Sequence, residues 1–216
     1  MNRLALFDCD GTLVDGAHSI VLAAEETCAA HGLAVPPPER IRSIIGLSLV
    51  EAMAVLAPGE DPVPLAETYK TVFQSLRARG KVEEPLFPGI PELLDALEAD
   101  GWLLGVATGK SDRGLNLCLA CHGLSQRFVT LQTADRHPSK PHPSMIGAAM
   151  ADAGASPQTT IMIGDTSYDM AMARAAGATA IGVLWGYHSR DELVAAGAHL
   201  IAAHPLDILD MAKVGS

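Results

Sequence analysis

The sequence predicts an α/β protein, a doubly wound parallel sheet with an α-helical insertion after its first strand. Three observations carry this. Short runs rich in Val, Ile and Leu alternate with helix-like segments along most of the chain, the pattern of strands joined by crossover helices. Most of those runs are apolar at every position rather than every second one, as strands covered on both faces are. One stretch, from about Gly16 to Glu84, breaks the rhythm and carries helical patterns only.

The strand candidates are Leu4–Phe7, Trp102–Ala107, Phe128–Leu131, Thr160–Ile163, Ala178–Leu184 and His199–Ala202. Together they describe a Rossmann-like core. Helices between them show start and stop signals. Ser111 precedes one that ends near Gly123, Pro143 opens one that stops by Gly154, and Ser189 with Glu192 reads as a capping box. In the insertion the helical patterns are Ala17–His31, a short one near Glu39–Ile44, Ser48–Leu56 and Pro64–Arg79. Ser48 with Glu51 gives a second expected capping box. Leu65, Tyr69, Val72, Phe73 and Leu76 recur at helical spacing and read as core. Proline-rich separators lie at 36–38, 58–64 and 85–91. The expected division is a core domain of residues 1–15 and 85–216, with residues 16–84 as a helical cap.

Bulk properties narrow the class. The chain has 216 residues, 49% of them hydrophobic and 19% charged, with a formal net charge of -10. That is an ordinary globular composition. The absence of any Lys/Arg cluster argues against nucleic acid and anionic membrane surfaces as partners. No apolar run reaches the length of a membrane span, and the acidic residues Asp8 and Asp10 arrive too early for a secretory segment. The expected compartment is the cytoplasm. An acidic protein that handles an anionic substrate must build a local positive site.

Four segments carry chemistry. Asp8-Cys9-Asp10-Gly11-Thr12-Leu13-Val14-Asp15 follows the first strand, where open α/β sheets place their sites. A turn explains Asp and Gly there, but burying two unpaired carboxylates without a function is costly. Thr108-Gly109 follows the second strand and offers a hydroxyl and an amide to a phosphate oxygen. Lys140, in Ser139-Lys140-Pro141-His142-Pro143, supplies a mobile point charge suited to phosphate. Gly164-Asp165-Thr166-Ser167-Tyr168-Asp169 is again strand, turn and helix, with Asp169 in a first helical turn. A parallel sheet brings all four to one edge. Asp8, Asp10, Asp165 and Asp169 would then repel one another strongly. A hard divalent cation relieves that, and oxygen donors without His or Cys point to magnesium, Mg2+, rather than zinc.

With these four segments in this order, the chain resembles the haloacid dehalogenase-like hydrolase superfamily in its phosphatase branch. More loosely it is similar to the phosphoglycolate phosphatase group, through Ile45-Gly46-Leu47 and Gly182-Val183-Leu184-Trp185-Gly186-Tyr187. The resemblance implies a magnesium-dependent phosphatase acting on a small phosphorylated metabolite, phosphoglycolate among the candidates. Asp8 is then the nucleophile that forms an aspartyl-phosphate. Asp10 protonates the leaving alkoxide and later activates water. Magnesium is held by the Asp8 carboxylate, the Asp10 main-chain carbonyl and Asp165, with Asp169 in its outer shell. Thr108, Gly109 and Lys140 clamp the phosphoryl group, and the cap, near Gly46 and Arg42, meets the leaving group. Two departures from the group's pattern stand out: Gly16 where Ser is usual, and Gly109 where many relatives carry Asn.

Three other readings compete. A phosphosugar mutase of the β-phosphoglucomutase type uses the same site and returns the phosphoryl group to a different hydroxyl. A dehalogenase has no need of Asp10. A non-catalytic binding module has no need of the intact set Asp8, Asp10, Lys140 and Asp165. Cys118-Leu119-Ala120-Cys121-His122 fits the C-x-x-C-H string for covalent haem, but it ends a helix before Gly123 with no export signal, so no haem is expected. Lys70 and Lys81, the insertion's two lysines, read as solvated charges rather than Schiff-base residues.

Overall fold

In the computed structural model, residues 1–214 are described. Strand β1 (Asn2–Phe7) leads into four helices, α1 (Ala17–Ala30), α2 (Pro38–Arg42), α3 (Leu49–Leu56) and α4 (Pro62–Ala78). Then come α5 (Ile90–Ala99), β2 (Trp102–Thr108), α6 (Asp112–Cys121), β3 (Phe128–Thr133) and α7 (Ser144–Ala153). The chain ends with β4 (Ala155–Gly164), α8 (Ser167–Ala176), β5 (Thr179–Val183), α9 (Arg190–Ala195), β6 (Leu200–Ala202) and α10 (Asp207–Val214). The six strands form one sheet in the order β3-β2-β1-β4-β5-β6, and every neighbouring pair is parallel.

The alternation of β1 explains the two layers. Ala5 and Phe7 face one core, shared with Ile90, Leu93, Leu94 and Leu97 of α5 and Leu115 and Leu119 of α6. Leu4 and Leu6 face the other, shared with Met145 and Ile146 of α7 and Met170 and Ala173 of α8. Both faces of the sheet are therefore covered, which is why its strands are apolar at successive positions. The connection reverses direction between β1 and β4. That switch point opens a crevice at the carboxyl ends of the central strands.

The insertion packs through two small apolar clusters. Val21, Ala24 and Ile41 form one, and Met53, Leu65 and Ala66 the other. Its two connections to the sheet run side by side. Asp15 N donates to Pro85 O at 2.9 Å and Phe87 N to Leu13 O at 3.0 Å, and Val14 bridges Leu86 in antiparallel fashion.

Several expectations need correction. Of the α4 stripe, Leu65 and Leu76 are core, but Tyr69, Val72 and Phe73 are only partly buried, and Tyr69 and Phe73 face a cleft. The Ser48–Glu51 capping box does not form. Ser48 precedes α3 without a side-chain cap; its hydroxyl meets the Glu51 carboxylate instead, while its amide donates to Ser139 Oγ at 2.8 Å. The Ser189–Glu192 box does form. Helix α5 was hidden by the separator at 85–91. Pro91 lies in its first turn, where a missing N–H costs nothing.

Candidate active site

The chemistry gathers at the switch point. Asp8 follows β1, and its amide donates to Ile163 O of β4 at 2.9 Å. Its carboxylate is 1% exposed. Lys140 Nζ lies 2.9 Å from Asp8 Oδ1 as an ion pair, while Asp8 Oδ2 has no hydrogen-bond partner. Burial pushes the Asp8 carboxyl up to about 7; Lys140 opposes this, and Asp169 and Asp10 add to it. A carboxylate buried this deeply, with one oxygen left without a partner, is costly as an anion unless something else is meant to occupy the space.

Asp165 and Asp169 complete a cluster. Carboxylate oxygens of Asp8, Asp165 and Asp169 lie within 4.8 Å of one another, all buried. Burial, then Asp8 and Asp169, push the Asp165 carboxyl well above its ordinary range. Asp165 is held by Thr12 Oγ1, which donates at 2.9 Å, and by the Tyr187 amide at 3.0 Å. Backbone without side chains makes this possible. A Cβ on Gly11, whose φ is +89°, would stand 2.1 Å from Asp165 Oδ2, and one on Gly186 2.2 Å from Asp165 Cβ. Asp169 closes a capping box with Thr166 at the start of α8 and accepts from Lys140 Nζ at 2.6 Å. Burial works against the Lys140 ammonium, but Asp169 and Asp8 outweigh it and raise its pKa. The hard oxygen donors, their crowding and the unpartnered Asp8 Oδ2 fit a divalent cation.

The sequence placed four carboxylates together; the structure brings three together and turns the fourth away. The Asp10 carboxylate accepts from Lys110 Nζ at 2.6 and 2.8 Å. Lys110 also meets Glu84 Oε1 at 2.8 Å, and Glu84 pairs with Arg77 of α4 at 2.7 Å. Burial resists ionisation of Glu84, but Lys110 and Arg77 hold its carboxyl below the usual range. Lys110 and Glu84 were missed as site residues. Lys110 directly follows Thr108-Gly109, so the signal existed; Glu84 arrives from the far end of the insertion and left none.

Thr108 is buried at the end of β2, and its hydroxyl accepts from the Lys110 amide at 3.2 Å. Gly109 meets the insertion. A Cβ there would lie 2.4 Å from Leu47 O and 2.7 Å from Gly46 O, so the two expected substrate-side glycines come together across the crevice. Gly46 has a φ of +104°, and a Cβ there would lie 3.3 Å from Thr166. Gly16 is explained likewise, since a Cβ would stand 2.7 Å from Asp10 Oδ1. Arg42 is exposed and is not among the cleft residues, contrary to expectation. In the C-x-x-C-H string Cys118 is buried and Cys121 exposed, and the His122 ring bonds the Glu84 carbonyl at 2.7 Å.

No helix among the described residues is long and apolar enough to cross a membrane. Comparison with known proteins identifies the family. The family model of the haloacid dehalogenase-like hydrolases matches residues 5–183. A probable phosphatase, IndB, of Dickeya dadantii (strain 3937) is 41% identical over 209 residues, covering 93% of this chain and 89% of its own. A phosphoglycolate phosphatase of Xylella fastidiosa (strain 9a5c) is 33% identical, covering 88% and 83%. The crystal structure of a hydrolase from Pseudomonas syringae superposes with a TM-score of 0.86 at 28% identity over 100% of both chains. The chain belongs to the haloacid dehalogenase-like hydrolases, and it is a phosphatase of that family.

Proposed function

We propose that the chain hydrolyses a phosphate monoester of a small metabolite through an aspartyl-phosphate on Asp8, with Mg2+ as cofactor. In this reading residues 1–15 and 85–216 are the catalytic core, residues 16–84 are a cap that closes over the substrate, and the enzyme acts in the cytoplasm. The observation that carries it is the Asp8 carboxylate, buried at a strand end with Oδ2 left without a hydrogen-bond partner and a buried ammonium 2.9 Å from Oδ1.

Asp8, the Asp10 main-chain carbonyl and Asp165 would hold the cation, with Asp169 outside them. When bound, the magnesium ion neutralises charge on the transferring oxygens and lets Asp8 stay ionised beside its neighbours. An Asp8 oxygen attacks phosphorus in line as the bond from phosphorus to the ester oxygen breaks. Asp10 gives its proton to the departing alkoxide. It then takes a proton from water, whose oxygen attacks the phosphoryl group, releasing inorganic phosphate and restoring the Asp8 carboxylate. Lys140, Thr108 and the Gly109 amide hold the phosphoryl oxygens, and Asp169 keeps Lys140 aimed.

The test is phosphate release from an aryl phosphate and from phosphoglycolate, the ester in the Xylella relative's name, with magnesium and with chelator. Asp8→Asn and chelation are each expected to abolish release. Mass spectrometry after acid quenching should find a phosphoryl group on the Asp8 peptide. Turnover that survives Asp8→Asn would overturn the nucleophile, and an isomeric phosphate ester in place of inorganic phosphate would make the enzyme a mutase.

A further inference from the structure

A cleft of about 810 Å³ lies between insertion and sheet, with Asp8, Asp10, Thr108 and Gly109 among its lining residues. Its remaining walls are largely apolar and include Ile20, Ile45, Leu49, Met53, Tyr69 and Phe73. Tyr69 and Phe73 are stacked, with ring centroids 5.8 Å apart and planes at 25°. A space of this size and character takes a drug-sized apolar group. Glycolate, a single methylene and a carboxylate, would leave most of it empty.

Charge points the same way. A second anionic group on the substrate needs a free cation, and the cleft's cations are mostly engaged. Arg77 pairs with Glu84 at 2.7 Å and Lys110 with Asp10 and Glu84. Lys70 pairs with Glu67 at 2.7 Å, though that pair is exposed and correspondingly weak. Arg113 lines the cleft from the exposed face of α6. Glu51 and Asp135 add negative charge to the same walls.

We propose that the preferred substrates are phosphate monoesters of bulky, predominantly apolar alcohols, with the apolar part lying against the Tyr69–Phe73 stack and the ester oxygen facing Asp10. This rests on the phosphatase reading of the Asp8 site and adds the chemistry of the leaving group. The chemical step is unchanged: the ester oxygen leaves with the Asp10 proton, and water supplies the oxygen of the phosphate product.

The experiment measures kcat/KM of the whole enzyme with magnesium on n-alkyl phosphates from ethyl to octyl, whose alcohols differ little in acidity, alongside phosphoglycolate and an aryl phosphate. Burial of each added methylene is expected to raise kcat/KM by about fourfold over the first steps, with octyl phosphate exceeding phosphoglycolate by roughly tenfold or more. Phe73→Ala and, separately, Ile20→Ser should flatten the octyl-to-ethyl ratio, and circular dichroism will show that at least one of them folds. A flat or falling alkyl series with phosphoglycolate preferred overturns the inference and leaves the phosphatase reading standing. So does a rise in the KM for phosphoglycolate in Lys70→Ala or Arg113→Ala, which would mean that one of these cations reads a carboxylate. Absence of magnesium-dependent release from every ester, the aryl phosphate included, overturns the phosphatase reading itself.

Discussion

Asp8→Asn is expected to make the protein inactive and more stable. Burial lifts the Asp8 carboxyl from 3.8 to about 7, against the pull of Lys140. At about 1.4 kcal/mol per pH unit, its ionised form costs the fold on the order of 4 kcal/mol at neutral pH without a cation. The sign follows from proton binding. Between about pH 4 and 7 the folded state holds a proton at Asp8 that the unfolded chain has released, so stability falls as pH rises through that window. An amide of the same shape carries no charge to bury. Urea unfolding in chelator at neutral pH should therefore show Asp8→Asn more stable by about 2–4 kcal/mol, a midpoint higher by about 1 M or more. The gap should close near pH 4, where both side chains are neutral, and shrink in magnesium, which offsets the wild-type charge. A variant less stable than wild type in chelator, or a gap that ignores pH, would refute the reasoning.

Other substitutions probe the rest of the site. Lys110→Met removes both contacts that fix the Asp10 carboxylate; kcat for an alkyl phosphate is expected to fall about 10- to 100-fold, with a much smaller loss for an aryl phosphate, whose leaving group needs little protonation. Gly109→Ala puts a methyl group 2.4 Å from Leu47 O, so the insertion must shift; initial rates should show kcat/KM lower by about tenfold or more. Asp165→Asn keeps the Thr12 and Tyr187 contacts possible but weakens the cation site, and magnesium titration of activity should show half-saturation raised by at least about tenfold.

The sheet was legible because its strands are buried on both faces, so Leu4–Phe7 and Thr160–Ile163 stand out as continuous apolar runs. Asp8 and Asp165 stood out as candidates for a related reason: a carboxylate at the end of such a run has little structural excuse, whereas Lys140, ahead of a helix opened by Pro143, and Asp169, in a first helical turn, stood out only in combination with them. Contacts between distant segments were not. Glu84 looks like an ordinary linker acid until α4 and β2 bring Arg77 and Lys110 to it. Tyr69 and Phe73 share the spacing of Leu65 and Leu76, and periodicity cannot tell a face against a core from one against a cleft. Ser48 had the right neighbour for a capping box, but its amide found Ser139 across the crevice. Gly16 and Gly109 read as departures from a pattern until the structure showed carboxylate and carbonyl oxygens filling the places of their missing side chains.

The paired connections between insertion and sheet have a mechanical consequence. Two separate linkers would let the insertion swing, twist and slide independently. Here Asp15 is bonded to Pro85 and Phe87 to Leu13, so the two chains bend together as one leaf. For the cap movement proposed above, that favours travel toward or away from the crevice over twisting or sliding. Glu84 belongs to that leaf, and through Lys110 it reaches Asp10. Bending at the leaf is therefore tied, through Glu84 and Lys110, to the placement of the Asp10 carboxylate.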